Sequence, residues 1–388
     1  MGGVPRFGPE APWARRVARR WVREMPARDV VEVRGRKPTV ADARGDSPLL
    51  LVWADPESYL APPAAGHLLE TLERSPEAAL VLPVSNEPWT EEVRHAPSFA
   101  YSTPTGLLEA AAAHAGAASA ASSFPVASPR SPVFAVRRAS LFGLSADLPL
   151  EDAPPAIHRA GGRALADPGA YLHRYGEMDA QARDDLAAKV PDGARSVLDV
   201  GCSRGATAEA LRRRGVSRIV GIEPDEEDAA QAVRVYDRVL SRTLEAVAPD
   251  EFSGEFDAIL FGDVLEHLED PSDALVRVRP WLSLPGVVVA SVPNVGNWAI
   301  VADLLAGRFD YIPYSLLSGT HVRHFTRSAV RDLFEATGYR VESVDTVTLP
   351  PSPEGARLLA RLSGYPGASP DLSVAEFVVV ARPAGGRP

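Results

Sequence analysis

Ser196-Val-Leu-Asp-Val-Gly-Cys-Ser-Arg-Gly205 decides the fold of the second half of the chain. Its first five residues read as a buried strand, and the run then breaks at Gly201 and Gly205 into a helix predicted over Ala206–Arg214. Glycine lets a backbone take positive φ and come close to a ligand. The helix that follows offers free N–H groups and a positive dipole end at the same place. The next strand, Arg218–Glu223, ends on a carboxylate, which can accept hydrogen bonds from both ribose hydroxyls of a nucleoside-containing cofactor. A dinucleotide fingerprint would need G-x-G-x-x-G. Three residues separate Gly201 from Gly205 here, so the pyrophosphate turn is absent.

Outward from this stretch the chain alternates. Helix Asp225–Tyr236, a weak strand Arg238–Thr243, strand Phe256–Phe261, helix Asp273–Leu282 and strand Gly286–Val292 follow in order. An irregular stretch to Phe325 precedes helix Arg327–Thr337 and strands Tyr339–Val347 and Ala375–Ala381. Such alternation implies a parallel sheet covered on both faces. The last two strands, read with no helix between them, predict an antiparallel edge pair. Upstream, Trp13–Met25 reads as an Arg-rich amphipathic helix, of a kind that can lie on an anionic membrane surface but more often docks on its own domain. Strands Asp29–Val33 and Pro48–Trp53, helix Ala64–Arg74 and strands Ala79–Pro83 and Pro132–Val136 follow, with an Ala-rich stretch over Gly106–Ala121. The proline-dense region ends near Tyr175, which divides the chain into domains 1–178 and 179–388.

With 51 acidic against 41 basic residues the net charge is −10, which disfavours nucleic acid as a partner. Cys202, the one cysteine, can form neither an internal disulfide nor a thiolate metal cage. No apolar run approaches the roughly 20 residues of a membrane span, so no integral membrane segment is expected. The first residues lack the apolar stretch of a signal peptide. A cytoplasmic protein is expected, with homo-oligomerisation left open.

The segment around Gly201 resembles motif I of the class I S-adenosylmethionine-dependent methyltransferases, commonly V-L-D-x-G-C-G-x-G, with Ser203 where that family usually has glycine. Ile222-Glu-Pro-Asp225 matches the family's acidic loop. Phe256-Asp-Ala-Ile-Leu-Phe-Gly-Asp-Val-Leu-Glu-His-Leu-Glu-Asp-Pro271 is similar to its fourth strand and following turn, and Ser291-Val-Pro-Asn294 to the end of its fifth. Thr320-His-Val-Arg-His-Phe-Thr326, then a helix and Gly338-Tyr339, is similar to a subgroup acting on sugars, quinones and related small acceptors. The resemblance implies an α/β fold with a Rossmann-like, seven-stranded, mostly parallel sheet, and S-adenosyl-L-methionine as cofactor. It places Asp199, Gly201, Cys202, Ser203 and Gly205 along the methionine portion and its approach. Glu223 would take the ribose, Ile222, Pro224 and Leu244 would flank the adenine, and Gly262, Asp263 and Val264 would close the floor. Cys202 reads as a small packed residue, not a nucleophile.

Methyl transfer to a hydroxyl is helped by a general base, usually histidine. The candidates are His267, His321 and His324, and His267, just after the fourth strand, ranks first, with packing or capping as its bland alternative. Asn294, Trp298, Tyr311 and Arg323 are the candidate acceptor contacts, several of them in the irregular 297–325 stretch read as a lid. The expected acceptor is a small-molecule or glycan hydroxyl, with no metal at this site.

Leu49-Leu-Leu-Val-Trp-Ala-Asp-Pro-Glu57, Ser131–Arg138, Leu148–Asp152 and the stretch from Arg159 to His173 resemble a truncated GT-A family 2 glycosyltransferase. That resemblance gives Asp55 and Glu57 a metal, Asp152 the part of base and His173 that of a further ligand. Too few residues precede Asp55 for the nucleotide-binding half, so a degenerate, non-catalytic domain is expected. The alternatives are a bifunctional glycosyl- and methyl-transferase and a cofactor-binding assembly protein without catalysis.

Overall fold

The computed structural model describes residues 30–32, 38–43, 45–53, 58–60, 62–85, 90–95, 114, 122–174, 182–309, 311 and 316–385. The helix expected over Trp13–Met25, nearly all of Gly106–Ala121, and Asp55 and Glu57 lie outside them. The chain forms two compact units, one chiefly of residues 6–176 and the other chiefly of 177–309 and 316–388. Among the described residues no helix is long and apolar enough to cross a membrane.

The first unit is a mixed sheet. Its strands are β1 (Val30–Glu32), β2 (Leu49–Trp53), β3 (Ser58–Leu60), β4 (Ala78–Ser85), β5 (Phe124–Pro125), β6 (Val133–Arg137) and β7 (Arg163–Arg174). They run in the order β1-β2-β6-β4-β7-β3, with β5 on β7. β1 and β2 are parallel, as are β4 and β7; the other pairs are antiparallel. Alternate residues of β2 feed two cores: Leu50 and Val52 lie on one face, Leu49 and Leu51 on the other, under helix α1 (Pro62–Arg74). A short helix, α2 (Ala153–Arg159), leads into β7. β7 is hard to read in the sequence, because Pro168 and Gly169 interrupt its pattern. The structure absorbs them at a register shift opposite Pro83 and Val84.

The second unit carries strands β8 (Ser196–Val200), β9 (Arg218–Ile222), β10 (Arg238–Leu240), β11 (Phe256–Gly262), β12 (Leu282–Pro293), β13 (Tyr339–Thr348) and β14 (Val374–Pro383). Their order is β10-β9-β8-β11-β12-β14-β13. The first five strands in that order pair parallel, and β14 is antiparallel to both β12 and β13. The α/β, mostly parallel sheet is therefore the expected one. All five residues of β8 are buried, as a central strand covered on both faces requires. Leu198 and Val200 join the core beneath helices α6 (Pro271–Val278) and α8 (Arg327–Ala336). Val197 joins the opposite core, which gathers residues of α3 (Asp184–Ala187), α4 (Ala208–Arg213) and α5 (Glu226–Ala232).

Two expectations need correcting. An eleven-residue helix, α9 (Pro353–Ser363), stands between the last two strands. Its start signals are clear in retrospect: Ser352 caps Gly355 N at 3.0 Å, and Pro353 opens the first turn. The last strand, β14, is also internal, because it inserts between β12 and β13 and leaves β13 at the edge. The irregular 297–325 stretch contains a further helix, α7 (Trp298–Leu305), capped by Asn297.

Candidate active site

β8, β9 and β11 end at one edge of the sheet, and three turns there form a cradle. In the turn after β8, Gly201 and Gly205 take φ of +73° and +87°. Ser203 takes +44°, in the region that side chains usually avoid. Its amide donates to Glu223 Oε2 at 2.9 Å, and Asp225 N donates to Glu223 Oε1 at 2.8 Å. The carboxylate at the tip of β9 thus holds the glycine turn in place. Burial raises its pKa while the two amides pull the other way.

The residues fit a nucleoside-bearing cofactor on two observations. Each Glu223 oxygen accepts one amide and keeps lone pairs for ribose hydroxyls. Ser203 Oγ is buried in the turn without a hydrogen-bond partner, a polar atom that a ligand can satisfy. Ile222 and Leu244 lie together in the apolar core below, with Val264 packed against them and Pro224 half-buried at the strand tip.

Asp199 was expected along the methionine portion. Its carboxylate is buried and accepts the Tyr236 hydroxyl at 2.6 Å. Burial pushes it up to about 6. A group raised in the folded state adds stability below its unfolded pKa, and that stability is lost as pH climbs through the folded value. Asp199→Asn keeps an acceptor for Tyr236 and does not titrate. The variant should therefore gain on the wild type by about 2–3 kcal/mol between pH 4 and pH 8, measured by urea denaturation at both. Cys202 is buried in the same core, and burial pushes its thiol up, so it is an inert packed residue as expected.

The floor after β11 is set by an unforeseen cluster. Asp263 takes φ +53°, its amide donates to Ser291 Oγ at 2.9 Å, and Ser291 Oγ donates to Asp263 Oδ1 at 2.8 Å. Arg183 pairs with Asp263, Asp185 and Glu376 and also donates to Ser291 Oγ at 3.0 Å. Burial, then the Asp263 charge, lifts Glu376 to about 7. Gly262 lies under the Leu186 and Arg183 side chains.

Just beyond, a 3-10 turn over Leu265–His267 meets the segment that carries His321. Val322 N and Arg323 N both donate to the Glu266 carbonyl, at 2.9 and 3.0 Å. The His267 and His321 rings meet edge to face, with centroids 4.8 Å apart. His267 Nδ1 donates to the Thr320 carbonyl and His321 Nδ1 to that of Leu316, each at 3.2 Å. Burial, then the neighbouring His267, pushes His321 down to about 3. Two of the three candidate histidines thus stand side by side. Glu266, which the sequence reading did not single out, is fully buried beside them with neither carboxylate oxygen hydrogen-bonded. Among the described residues, Glu266, His267 and His321 form the one group of three His, Cys, Asp or Glu side chains with metal-ligating spacing.

The expected acceptor contacts fare differently. Asn294 is 1% exposed; its amide nitrogen donates to Asp371 and Val374 carbonyls and its oxygen accepts Gly296 N. It ties loops together and does not face an acceptor. The Trp298 ring packs on Gly355 of α9. Arg323 is exposed and spends its guanidinium on the carbonyls of Val322 and Glu269. Tyr311 falls in a short segment grouped with the first unit.

Residues 170–344 match a family model described as a methyltransferase domain. This segment is similar to that domain over less than half of the chain. Its cofactor is S-adenosylmethionine, in agreement with the cradle at Glu223. The ubiquinone biosynthesis O-methyltransferase of Bradyrhizobium diazoefficiens is 32% identical over 135 residues, covering 33% of this chain and 51% of that protein. Its namesake in Roseobacter denitrificans is 29% identical over 163 residues, covering 40% and 63%. The chain thus spans between half and two thirds of these relatives. A SAM-dependent methyltransferase from Archaeoglobus fulgidus is similar at 16% identity and a TM-score of 0.38, over 52% of this chain and 94% of that one.

Proposed function

We propose that the methyltransferase domain methylates a hydroxyl oxygen of a small-molecule or glycan acceptor. The observation that carries this reading is the His267–His321 pair, set one turn past the Gly262–Val264 floor. When bound, S-adenosylmethionine supplies an electrophilic methyl group on an already activated leaving group. The protein's part is alignment, exclusion of water and removal of a proton. Glu223 would hold the ribose, and the backbone of 201–205 with Ser203 Oγ would hold the methionine end. Ile222 and Leu244 would flank the base. Each imidazole donates through Nδ1 to a carbonyl, which makes Nε2 its basic nitrogen. Burial keeps His321 neutral and makes it a weak base, so His267 is the base of this reading. The name O-methyltransferase on both relatives supports oxygen as the methylated atom.

For the first unit, the reading is a degenerate GT-A-like scaffold that positions an acceptor or partner. Its mixed α/β sheet supports this, while Asp152 is exposed. Incubation with S-adenosylmethionine and panels of sugar, phenol and amine acceptors, followed by mass spectrometry, tests the whole reading. A hydroxyl compound should gain one CH2 as S-adenosylhomocysteine accumulates. Methylation confined to amines would overturn the choice of oxygen.

A further inference from the structure

The loop ahead of β14 walls a cavity that shares no residue with the cradle or with the His267–His321 pair. β12 runs parallel to β11 and β14 antiparallel to β12, so β14 begins at the edge where the cradle lies. Glu223 stands at the tip of β9, the glycine turn follows β8 and the floor follows β11; the sheet order then continues to β12 and β14. A cofactor laid from β9 to β11 therefore points its methyl group toward β12 and β14. Neighbouring strands stand about 4.8 Å apart, so β14 lies roughly 10 Å past the floor, within reach of an acceptor's far end. The cavity measures about 350 Å³ and is lined by Leu359 and Ser363 of α9 and by Ser369, Pro370, Leu372 and Ser373 of the loop. Its loop wall is fastened in advance. Arg327 bonds both carboxylate oxygens of Asp371, at 2.8 and 2.6 Å, and Asn294 Nδ2 donates to the Asp371 carbonyl at 3.0 Å. Trp298 N donates to the Leu372 carbonyl at 2.7 Å. On the helix wall, Gly355, Leu359 and Ser363 follow one another at four-residue spacing along one face. Gly355 admits the Trp298 ring, and Leu359 and Ser363 cover the space beyond it.

We propose that this cavity anchors the non-reacting end of the acceptor, as an uncharged ring that carries hydroxyl groups, while the hydroxyl to be methylated lies at His267. This narrows the substrate class of the proposed function and rests on that reading for the ligand's being a methyl acceptor. Leucine, proline and alanine give the cavity apolar walls, and its three serines bring hydroxyls that both donate and accept. Among the described residues its lining carries no charged side chain, and Asp371 beside it is already paired with Arg327. A carboxylate or phosphate placed there would lose its water without gaining a counter-charge, which selects against charged rings. The volume lies at the small end of ligand sites, which span roughly 300–1,000 Å³, and suits one ring better than a chain. Neutral sugars and phenols share this chemistry, an apolar ring face with hydroxyls at its rim.

Ligand-observed NMR on the full chain, in the presence of S-adenosylhomocysteine, tests this with methyl β-D-glucopyranoside, phenol and benzoate as probes. The sugar or the phenol should bind, whichever does naming the source of the ring, and benzoate should bind at least tenfold more weakly. Ala360 also lines the cavity from an exposed position of α9, so Ala360→Trp fills the space and should fold. It should weaken binding of the neutral probe at least tenfold. Arg361→Trp, exposed on the far face of the same helix, should bind the probe as the wild type does. Neither substitution should change the affinity for S-adenosylhomocysteine. Failure of both neutral probes to bind, benzoate binding as tightly as they do, or equal binding by Ala360→Trp overturns the cavity's role. If S-adenosylhomocysteine still binds in that case, only the cavity proposal falls. Probe binding that Ala360→Trp abolishes, in a chain that does not take up S-adenosylhomocysteine, would keep the ring site and refute the reading that makes its ligand a methyl acceptor.

Discussion

Glu223→Ala should weaken S-adenosylhomocysteine binding by a factor of about 100 or more. Two ribose hydroxyls lose a charged acceptor, each such hydrogen bond contributing about 1.5–3 kcal/mol, and 1.4 kcal/mol is tenfold in affinity. The loss has a second component in the protein itself. Ser203 N and Asp225 N both bond this carboxylate, so its removal frees the turn that must meet the ligand. Glu223→Gln should fall between the two, because it keeps one acceptor oxygen and points an NH2 at the other amide. Calorimetric affinities within threefold of the wild type for Glu223→Ala would show that the ribose lies elsewhere.

Gly205→Ala should lower stability by about 2–5 kcal/mol. The residue sits at φ +87°, where a side chain is strained by about 1–2 kcal/mol. A Cβ would also stand 2.6 Å from Val235 Cγ2, 3.0 Å from the Tyr236 ring and 3.2 Å from the Ala232 Cα. Val235 is 47% exposed and can turn away, but the backbone of α5 cannot. Overpacking adds about 1–3 kcal/mol. In a domain of this size the melting temperature should fall by roughly 5–15 °C, as calorimetry can record. Tyr236 also holds Asp199, so any shift that relieves the clash loosens the floor of the cradle. A melting temperature unchanged within 2 °C would contradict the geometry of this turn.

Local pattern made the cofactor half of the site readable. β8 runs over Ser196–Val200, the span its apolar residues predict, and Glu223 stands at the tip of β9 as the alternation requires. These elements are short-range: strand, glycine turn and helix follow one another, so their order in sequence is their order in space. What stayed hidden is long-range. Arg183 reaches Glu376 across 193 residues, and nothing beside either marks the pairing. Glu266 stands in the quoted Leu-Glu-His-Leu run, where a carboxylate within an otherwise apolar turn beside Leu265 is the available signal. Its full burial appears only once the His321 segment folds back on it. Asn294 misled for the complementary reason: a polar residue at a strand end reads as a ligand contact, but here it satisfies backbone groups of a distant loop.

Calorimetric titration of the full chain with S-adenosylhomocysteine tests the central claim, that the edge formed by β8, β9 and β11 is a methyl-donor cradle. One equivalent should bind, with a negative heat-capacity change from burial of the adenine against the apolar floor. Absence of saturable binding by the folded wild-type chain would contradict it.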